Sequence, residues 1–469
     1  MATKRTKFAE PSYRESSAPL FQQVIAEDPN PAPPLFREYS ETDIPCRKVP
    51  REQYTSAAFA ELEKERMWSR VWQMAAREEQ IPEVGDCLLY EAPGASLIIT
   101  RSAPDEIKAF HNSCLHRGMK LCAADTSVSK LTCPFHGFSW NLDGSLAHVP
   151  ARWDFPEVRE DNFRLPEARA ERWGGFVFVN LDQDAQPLER YLGRLVPDFQ
   201  DWPRDKVYLS TVLRKTLDAN WKTCIEAFLE AFHVPHIHAQ ALAFGGDSST
   251  QYDVWPNDPH VSRFLEPVGV PGDQHPTELS EQEILATALH AVAGTCDVPP
   301  LPPGVKARHF MADGARRSMS ELDGRDYSHL SDTEATDAMQ YSLFPNFILF
   351  RSLLYPYAYR FLPVKGDHTR TVFDFMFFRP KPAEATELPE TQIIDLDPDG
   401  SYAGAGVLAP WHGEIYDQDV IGLAQCQAGL QGGSDSDIIF SRYQEVRLRH
   451  LHQTLAHYLD LDENGRPRG

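Results

Sequence analysis

The spacing of apolar and polar positions changes along the chain, and the changes mark out its parts. Residues 1–50 show no period. They are polar and rich in proline, with the run Pro29-Asn30-Pro31-Ala32-Pro33-Pro34, and read as an extended arm suited to lie on a partner subunit. From about 55 to 71 the apolar residues Phe59, Leu62, Met67 and Trp68 fall near helical spacing, which predicts a helix. Between about 72 and 182 the pattern shortens to strand-like runs. Cys87-Leu88-Leu89-Tyr90, Ser96-Leu97-Ile98-Ile99-Thr100 and Gly175-Phe176-Val177-Phe178-Val179 predict three strands, and Asp143-Gly144 predicts a hairpin turn.

A helical stretch is expected over 216–240. Residues 254–335 read as a Pro-rich, helix-containing insertion or lid. In it Ser280-Glu281-Gln282-Glu283 is a capping-box pattern ahead of Ile284, Leu285, Ala288, Leu289 and Val292. Strand runs return at 347–350, 355–362 and 371–378, and helices at about 414–430 and 439–459 close the chain. No repeat at a solenoid period is present. The division expected is an arm over 1–50, a β-rich domain with a preceding helix over 51–182, and a larger domain over 183–469. A chain of 469 residues is too long for one ordinary core, which agrees with that division.

Composition and the termini of the pattern change this picture in four ways. No run of about 18 apolar residues exists, so no membrane span is expected. The N-terminus has no secretory h-region, which makes cytoplasmic residence the expectation. The formal net charge of −22 argues against a nucleic-acid partner, whose phosphates require a basic footprint. The eight cysteines, in a chain without a secretory signal, read as thiols or metal ligands rather than disulfides.

Two of those cysteines sit in a pattern completed by histidine. Cys114-x-His116-Arg117-Gly118 is followed, with sixteen residues between His116 and Cys133, by Cys133-Pro134-x-His136-Gly137-x-x-Trp140. Each short segment offers one thiolate and one imidazole. Such a set suits a structural zinc ion, and it equally suits a [2Fe–2S] cluster in which two His replace two Cys on one iron. Spacing alone leaves both open.

A second constellation reads Asn220-Trp221-Lys222, then Glu226, Glu230, His233, Pro235, His236 and His238. Two His and one carboxylate on one face of an octahedron suit Fe(II) and leave positions for O₂. On a straight helix His233 and His236 nearly share a face, whereas His233 and His238 lie about 140° apart. Pro235 interrupts the helix between them, so the pairing stays open at this point.

Together these segments resemble the α subunits of Rieske non-haem iron ring-hydroxylating oxygenases. The flanks Ile81-Pro82-Glu83-Val84-Gly85-Asp86 and Gly175-Phe176-Val177-Phe178-Val179-Asn180-Leu181 share the resemblance, which covers most of 65–455. It implies an α+β architecture: a β-rich Rieske domain and a helix-grip catalytic domain with a curved antiparallel sheet. It implies that Cys114, His116, Cys133 and His136 hold a [2Fe–2S] cluster, and that His233 and His238 bind mononuclear Fe(II) while His236 does not. The third ligand is Asp419, with Asp417 as fallback, in a segment that continues to Gln427-x-Gly429-Leu430. Asn220 and Glu230 are the implied catalytic residues, with Glu230 the bridging acid between His136 of one subunit and His233 of the next. That acid is commonly Asp in the family, so Glu230 is a departure.

The resemblance further implies a head-to-tail homotrimer, with or without a β subunit. Gly404-Ala-Gly406 lacks the third glycine of a dinucleotide motif. Electrons from NAD(P)H are therefore expected through a separate reductase, with or without a ferredoxin. Phe228 and Phe232, flanking the ligand segment, are the expected pocket walls. The expected reaction is hydroxylation or oxidative demethylation of an apolar, aromatic small molecule. Two readings compete with it. One is monooxygenation of a quaternary amine, since Glu at position 230 resembles that branch. The other is an electron carrier with an inert catalytic domain.

Overall fold

The computed structural model describes residues 16, 18–40, 43–202, 206–381, 388–433 and 436–468, so the first fifteen residues of the expected arm lie outside the described residues. The chain divides into a smaller unit, Glu61–Tyr191 with Leu388–Thr391, and a larger unit built from the remaining segments. Among the described residues no helix is long and apolar enough to cross a membrane.

The smaller unit carries a seven-stranded sheet and a three-stranded one. The strand runs expected from sequence are the strands Asp86–Ala92, Ala95–Ala103 and Phe176–Asn180. Asp143-Gly144 turns between Ser139–Trp140 and Leu146–His148, with Gly144 at φ +80°, a left-handed conformation that only glycine adopts without strain. Trp140, Phe138, Phe110 and Ile98 fill the core beneath the two Cys/His loops.

The larger unit is organised by an eight-stranded curled sheet. Its spatial order is Gln251–Val254, Val261–Glu266, Ala338–Leu343, Phe347–Phe350, Tyr357–Val364, Asp367–Pro380, Val207–Leu217 and Gln392–Leu396. All neighbours are antiparallel except the last pair, which is parallel. Because side chains alternate across a strand, register assigns the faces. Leu265 pairs with Met339 on one face. Phe264 and Glu266, and in later strands Tyr359, Phe361, Phe373 and Phe375, point to the other. Three helices supply residues to this second face. Phe228, at the end of Trp221–Ala227, touches the rings of Tyr359, Phe361 and Phe373. Tyr416, on the helix Pro410–Gly432, contacts Phe375 at 4.6 Å. Arg447, on Val446–Leu459, donates to Ser262 and Gln340.

Three expectations need correction. The predicted arm is not simply extended. Its described part forms the short helices Phe21–Ala26 and Pro34–Arg37, whose Phe21, Ile25 and Phe36 pack on Leu265 and Met339 of the same unit. Apolar residues spaced between the prolines give it a face to bury. The second concerns 216–240, which is not one helix: the strand Val207–Leu217 leads to Trp221–Ala227, a turn, and the single-turn helix Val234–Ile237. Last, the 254–335 segment begins inside the sheet, because Val261–Glu266 is one of its strands, paired on both sides. The capping box is as expected: Ser280 N donates to Glu283 Oε2 at 2.8 Å, and Glu283 N to Ser280 Oγ at 3.3 Å, at the start of Glu281–Ala293.

One buried and one half-buried histidine, His450 and His260, make stability depend on pH. Burial lowers His450 to about 4, with Arg447 adding to it, and burial lowers His260 to about 3, with His450 and His457 adding to it. Above the unfolded value of 6.5 neither ring costs anything. As pH falls below it, the unfolded chain takes up protons that the folded rings refuse, so stability is lost between about pH 6.5 and 4. Urea unfolding at pH 7 and pH 5 should show this loss, and His450→Gln should shrink it. An unchanged pH 7-to-5 difference in that variant would count against the assignment.

Candidate functional site

In the smaller unit the two Cys/His loops are built alike. Cys114 N donates to Met119 O and Gly118 N to Cys114 O, both at 2.8 Å. In the second loop Cys133 N donates to Phe138 O at 2.8 Å and Gly137 N to Cys133 O at 3.0 Å. Gly118 and Gly137 sit at φ +76° and +81°, which closes each loop tightly enough to turn the intervening His back beside its Cys. The result gathers all four side chains. Both cysteines are buried, and the His116 and His136 ring centroids lie 4.7 Å apart. Burial pushes the Cys114 thiol up, and Cys133 beside it adds to this. Burial likewise keeps His116 below its usual value, with His136 adding to it. The Nδ1 of His116 is enclosed and finds no hydrogen-bond partner. Two neighbouring thiols and an orphaned ring nitrogen are costly by themselves. A bound iron–sulfur cluster would resolve that cost, so the residues fit such a group.

In the larger unit His233 caps the start of Val234–Ile237 and His238 its end. Pro235 falls in the first turn, where its missing N–H costs nothing. The two rings therefore flank one helical turn, with centroids 5.1 Å apart, and the straight-helix angle does not apply. Asp419 comes from the long helix Pro410–Gly432. Its Oδ1 lies 2.8 Å from His238 Nε2 and 3.7 Å from His233 Nε2. One ligand atom from each of the three residues lies within 4.8 Å of the others. His236 is exposed and outside the cluster. Asp417 faces away, accepting from Ser401 Oγ at 2.6 Å and Tyr402 N at 2.8 Å.

The outer ring nitrogens are tied. Glu230 Oε1 lies 2.7 Å from His233 Nδ1, and Gln418 Oε1 lies 2.8 Å from His238 Nδ1. Carboxylate and amide oxygens accept, so each Nδ1 carries a proton and each Nε2, turned toward Asp419, is the nitrogen a metal would take once it displaces the proton there. Burial opposes charge on His233, but Glu230 and Asp419 outweigh it and hold the ring up at about 9. Two imidazoles and one carboxylate, inwardly aligned, fit a divalent iron.

The triad opens on a cleft of ≈ 620 Å³ that Glu226, Glu230, Tyr54 and Cys426 also line. There Glu226 Oε1 contacts His452 Nε2 at 2.7 Å and Tyr54 Oη at 2.9 Å. Sequence reasoning missed this trio and Gln418, since their partners lie 172 or more residues away in the chain. Two pocket expectations divide. Phe228 lies on the aromatic face of the sheet, whereas Phe232 is 47% exposed and lines nothing inside.

Asn220, expected to be catalytic, is the N-cap of Trp221–Ala227. Its Oδ1 accepts from Lys222 N at 3.0 Å, its Nδ2 donates to His368 O at 2.8 Å, and its own N–H donates to Gln427 Oε1 at 2.9 Å. Its polar groups are spent on anchoring the helix that leads to the ligand turn. A second acid–histidine group, Asp28, His309 and Asp332, has metal-like spacing. Its carboxylates are already paired with the guanidinium groups of Arg308 and Arg316, so it is an ionic network.

A β-rich unit with paired Cys/His loops and a helix-and-sheet unit with a His/His/Asp triad, in one chain, define a protein with two metal centres. Comparison with known proteins agrees. The family model described as Ring hydroxylating alpha subunit (catalytic domain) matches residues 198–461, and the Rieske [2Fe-2S] domain model matches 71–159. The chain belongs to the ring-hydroxylating α-subunit family, and its smaller unit is a Rieske [2Fe–2S] domain rather than a zinc module. Biphenyl 2,3-dioxygenase subunit alpha of Rhodococcus jostii (strain RHA1) is 34% identical over 182 residues, 37% of this chain and 39% of that one. The carnitine monooxygenase oxygenase subunit of Escherichia coli (strain K12) is 29% identical over 198 residues, 40% of this chain and 52% of that one. The matches thus span about two fifths to one half of these relatives' own length. A solved quaternary ammonium Rieske monooxygenase shares the fold at a TM-score of 0.63 and 17% identity, covering 89% of this chain and 96% of that one.

Proposed function

We propose that this chain is a terminal oxygenase component. It combines O₂ with electrons from a separate reductase, with or without a ferredoxin, to hydroxylate or oxidatively demethylate a small molecule with an apolar body. Insertion of one oxygen atom consumes O₂, two electrons and two protons, and releases water. The observation that carries the reading is the convergence of His233, His238 and Asp419 in a chain that also holds the paired Cys/His loops. Bound iron would supply O₂ activation, and the cluster would supply electrons singly.

The chain's own residues do the rest. Cys114, His116, Cys133 and His136 would hold the cluster; His233, His238 and Asp419 would hold the iron. Glu230 and Gln418 keep the two imidazoles in the tautomer that leaves Nε2 free. Glu230 also accepts from the backbone N–H groups of Phe232 and His233, which pins the turn before the ligand helix. In a head-to-tail trimer the same carboxylate would stand between one subunit's His233 and the next subunit's His136. Phe228, Tyr359 and Tyr416 give the substrate side an aromatic wall that excludes water.

The test is reductant-dependent O₂ uptake and product formation with iron- and cluster-loaded protein. Protein that binds both centres yet never consumes O₂ with a panel of aromatic and amine substrates would leave the electron-carrier reading. Glu230→Gln should keep the cluster spectrum while turnover falls by roughly 10–100-fold, the usual cost of losing a carboxylate behind a metal-binding His. Undiminished turnover in that variant would remove Glu230 from the mechanism.

A further inference from the structure

The oxygenase reading leaves the polar group of the substrate unassigned, and one side chain on the aromatic face of the sheet bears on it. Glu266 ends the strand Val261–Glu266. Its register partner is Ala338; Phe264, two residues earlier, pairs with Gln340, and Gln340 with Phe350. Phe350 in turn meets the rings of Tyr355 and Tyr359. Glu266 thus shares the face that Phe228 and Tyr416 cover from the helices. Asp419 lies one turn beyond Tyr416 on the same helix.

The carboxyl group of Glu266 lacks what a buried acid normally has. No hydrogen bond or ion pair reaches it among the described residues; a Cβ added at Gly245 would lie 3.7 Å from its Oε1. Protein encloses the side chain, yet it keeps an intermediate share of accessible surface. Tyr355, Tyr357 and His412 show the same combination. Glu266 and Tyr357 lie on the aromatic face of the sheet, so the surface they keep is open to a small guest on that face. The charged groups acting most on Glu266 are mostly of its own sign: Asp247, Asp337 and Glu230, with His233 alone opposing them. Burial above all, and then these carboxylates, push it up to about 8.

A space of this kind disfavours an anionic guest by repulsion and gives a cation two things at once. It offers a carboxyl group without a counter-ion, which gives up its proton as a cation settles beside it, and it offers tyrosine ring faces, which attract cations within about 6 Å. We propose that Glu266 is the specificity-determining residue of the substrate cavity, pairing with an ammonium group carried by the substrate beside Tyr355 and Tyr357. This deepens the oxygenase reading and rests on it for the reaction, though not for binding.

The test compares benzyltrimethylammonium with its uncharged carbon isostere, neopentylbenzene, by calorimetry on the full-length protein loaded with iron and cluster. Wild type should bind the ammonium at least tenfold more tightly. Glu266→Gln should bring the two ligands within about threefold while iron content and cluster absorbance stay at wild-type levels. A wild type that binds both equally, or neither, overturns the proposal, as does a preference that survives Glu266→Gln. Should that variant fail to fold, the wild-type comparison and Glu266→Asp decide. Failure of the oxygenase reading shows itself separately, as absent O₂ uptake in a protein whose ammonium preference is intact.

Discussion

His233→Ala is expected to lose the mononuclear iron while the red-brown, dithionite-bleachable cluster absorbance stays. The ring would supply one of three ligand atoms, and Glu230 and the His233 backbone already hold it at the point of convergence. Removing a group behind a metal ligand costs roughly 10–100-fold in affinity or activity, so removing the ligand itself should cost more than about 100-fold. The four cluster candidates belong to the other unit and to loops with their own backbone closures, so the variant should not disturb them. Metal and acid-labile sulfide analysis beside O₂ uptake reads all of this at once. Iron retained in full at the mononuclear level would remove His233 from the ligand set.

Arg308→Ala should be the most destabilising single change in the larger unit. Arg308 donates to both oxygens of Asp28 at 2.8 Å, to Asp337, and to Thr333 Oγ1 at 3.2 Å, all buried. Burial opposes its charge, but Asp337 and Asp28 outweigh that and keep it protonated. Truncation leaves two buried carboxylates facing each other without a cation. Breaking such a pair costs about 3–5 kcal/mol, which should lower the melting temperature by roughly 10 °C. The triple variant Arg308→Met, Asp28→Asn, Asp337→Asn should recover much of that loss, since it removes the stranded charges. A melting temperature within about 2 °C of wild type in the single variant would refute the account.

Legibility followed sequence distance. Cys114, His116, Cys133 and His136 could be read because two short loops contain all four, and each loop closes through its own backbone. The capping box at Ser280 could be read for the same reason: both partners lie within one turn. The choice between His236 and His238 could not be derived from periodicity, because the assumed long helix is a single turn with His233 at one end and His238 at the other. Asp419 was found by resemblance, since nothing local distinguishes it from Asp417, two residues away on the same helix. Asn220 stood in a recognisable motif, yet its polar groups turned out to serve Lys222, His368 and Gln427. Phe232 carried the right residue type in the right segment, but the turn before the ligand helix points it to solvent.

By itself, then, the sequence determined the class of the protein, the two metal-binding chemistries and most of the strands, because each depends on residue type at short, regular spacing. Tertiary structure decided which acid completes the triad, that Gln418 fixes the His238 tautomer, and that Glu266 shares the aromatic face of the sheet while its neighbour Leu265 supports the N-terminal segment. Those outcomes depend on strand parity and on contacts across 180 residues or more, as between His238 and Gln418 or Asp419. Such contacts exist only once the curled sheet has brought its covering helices together.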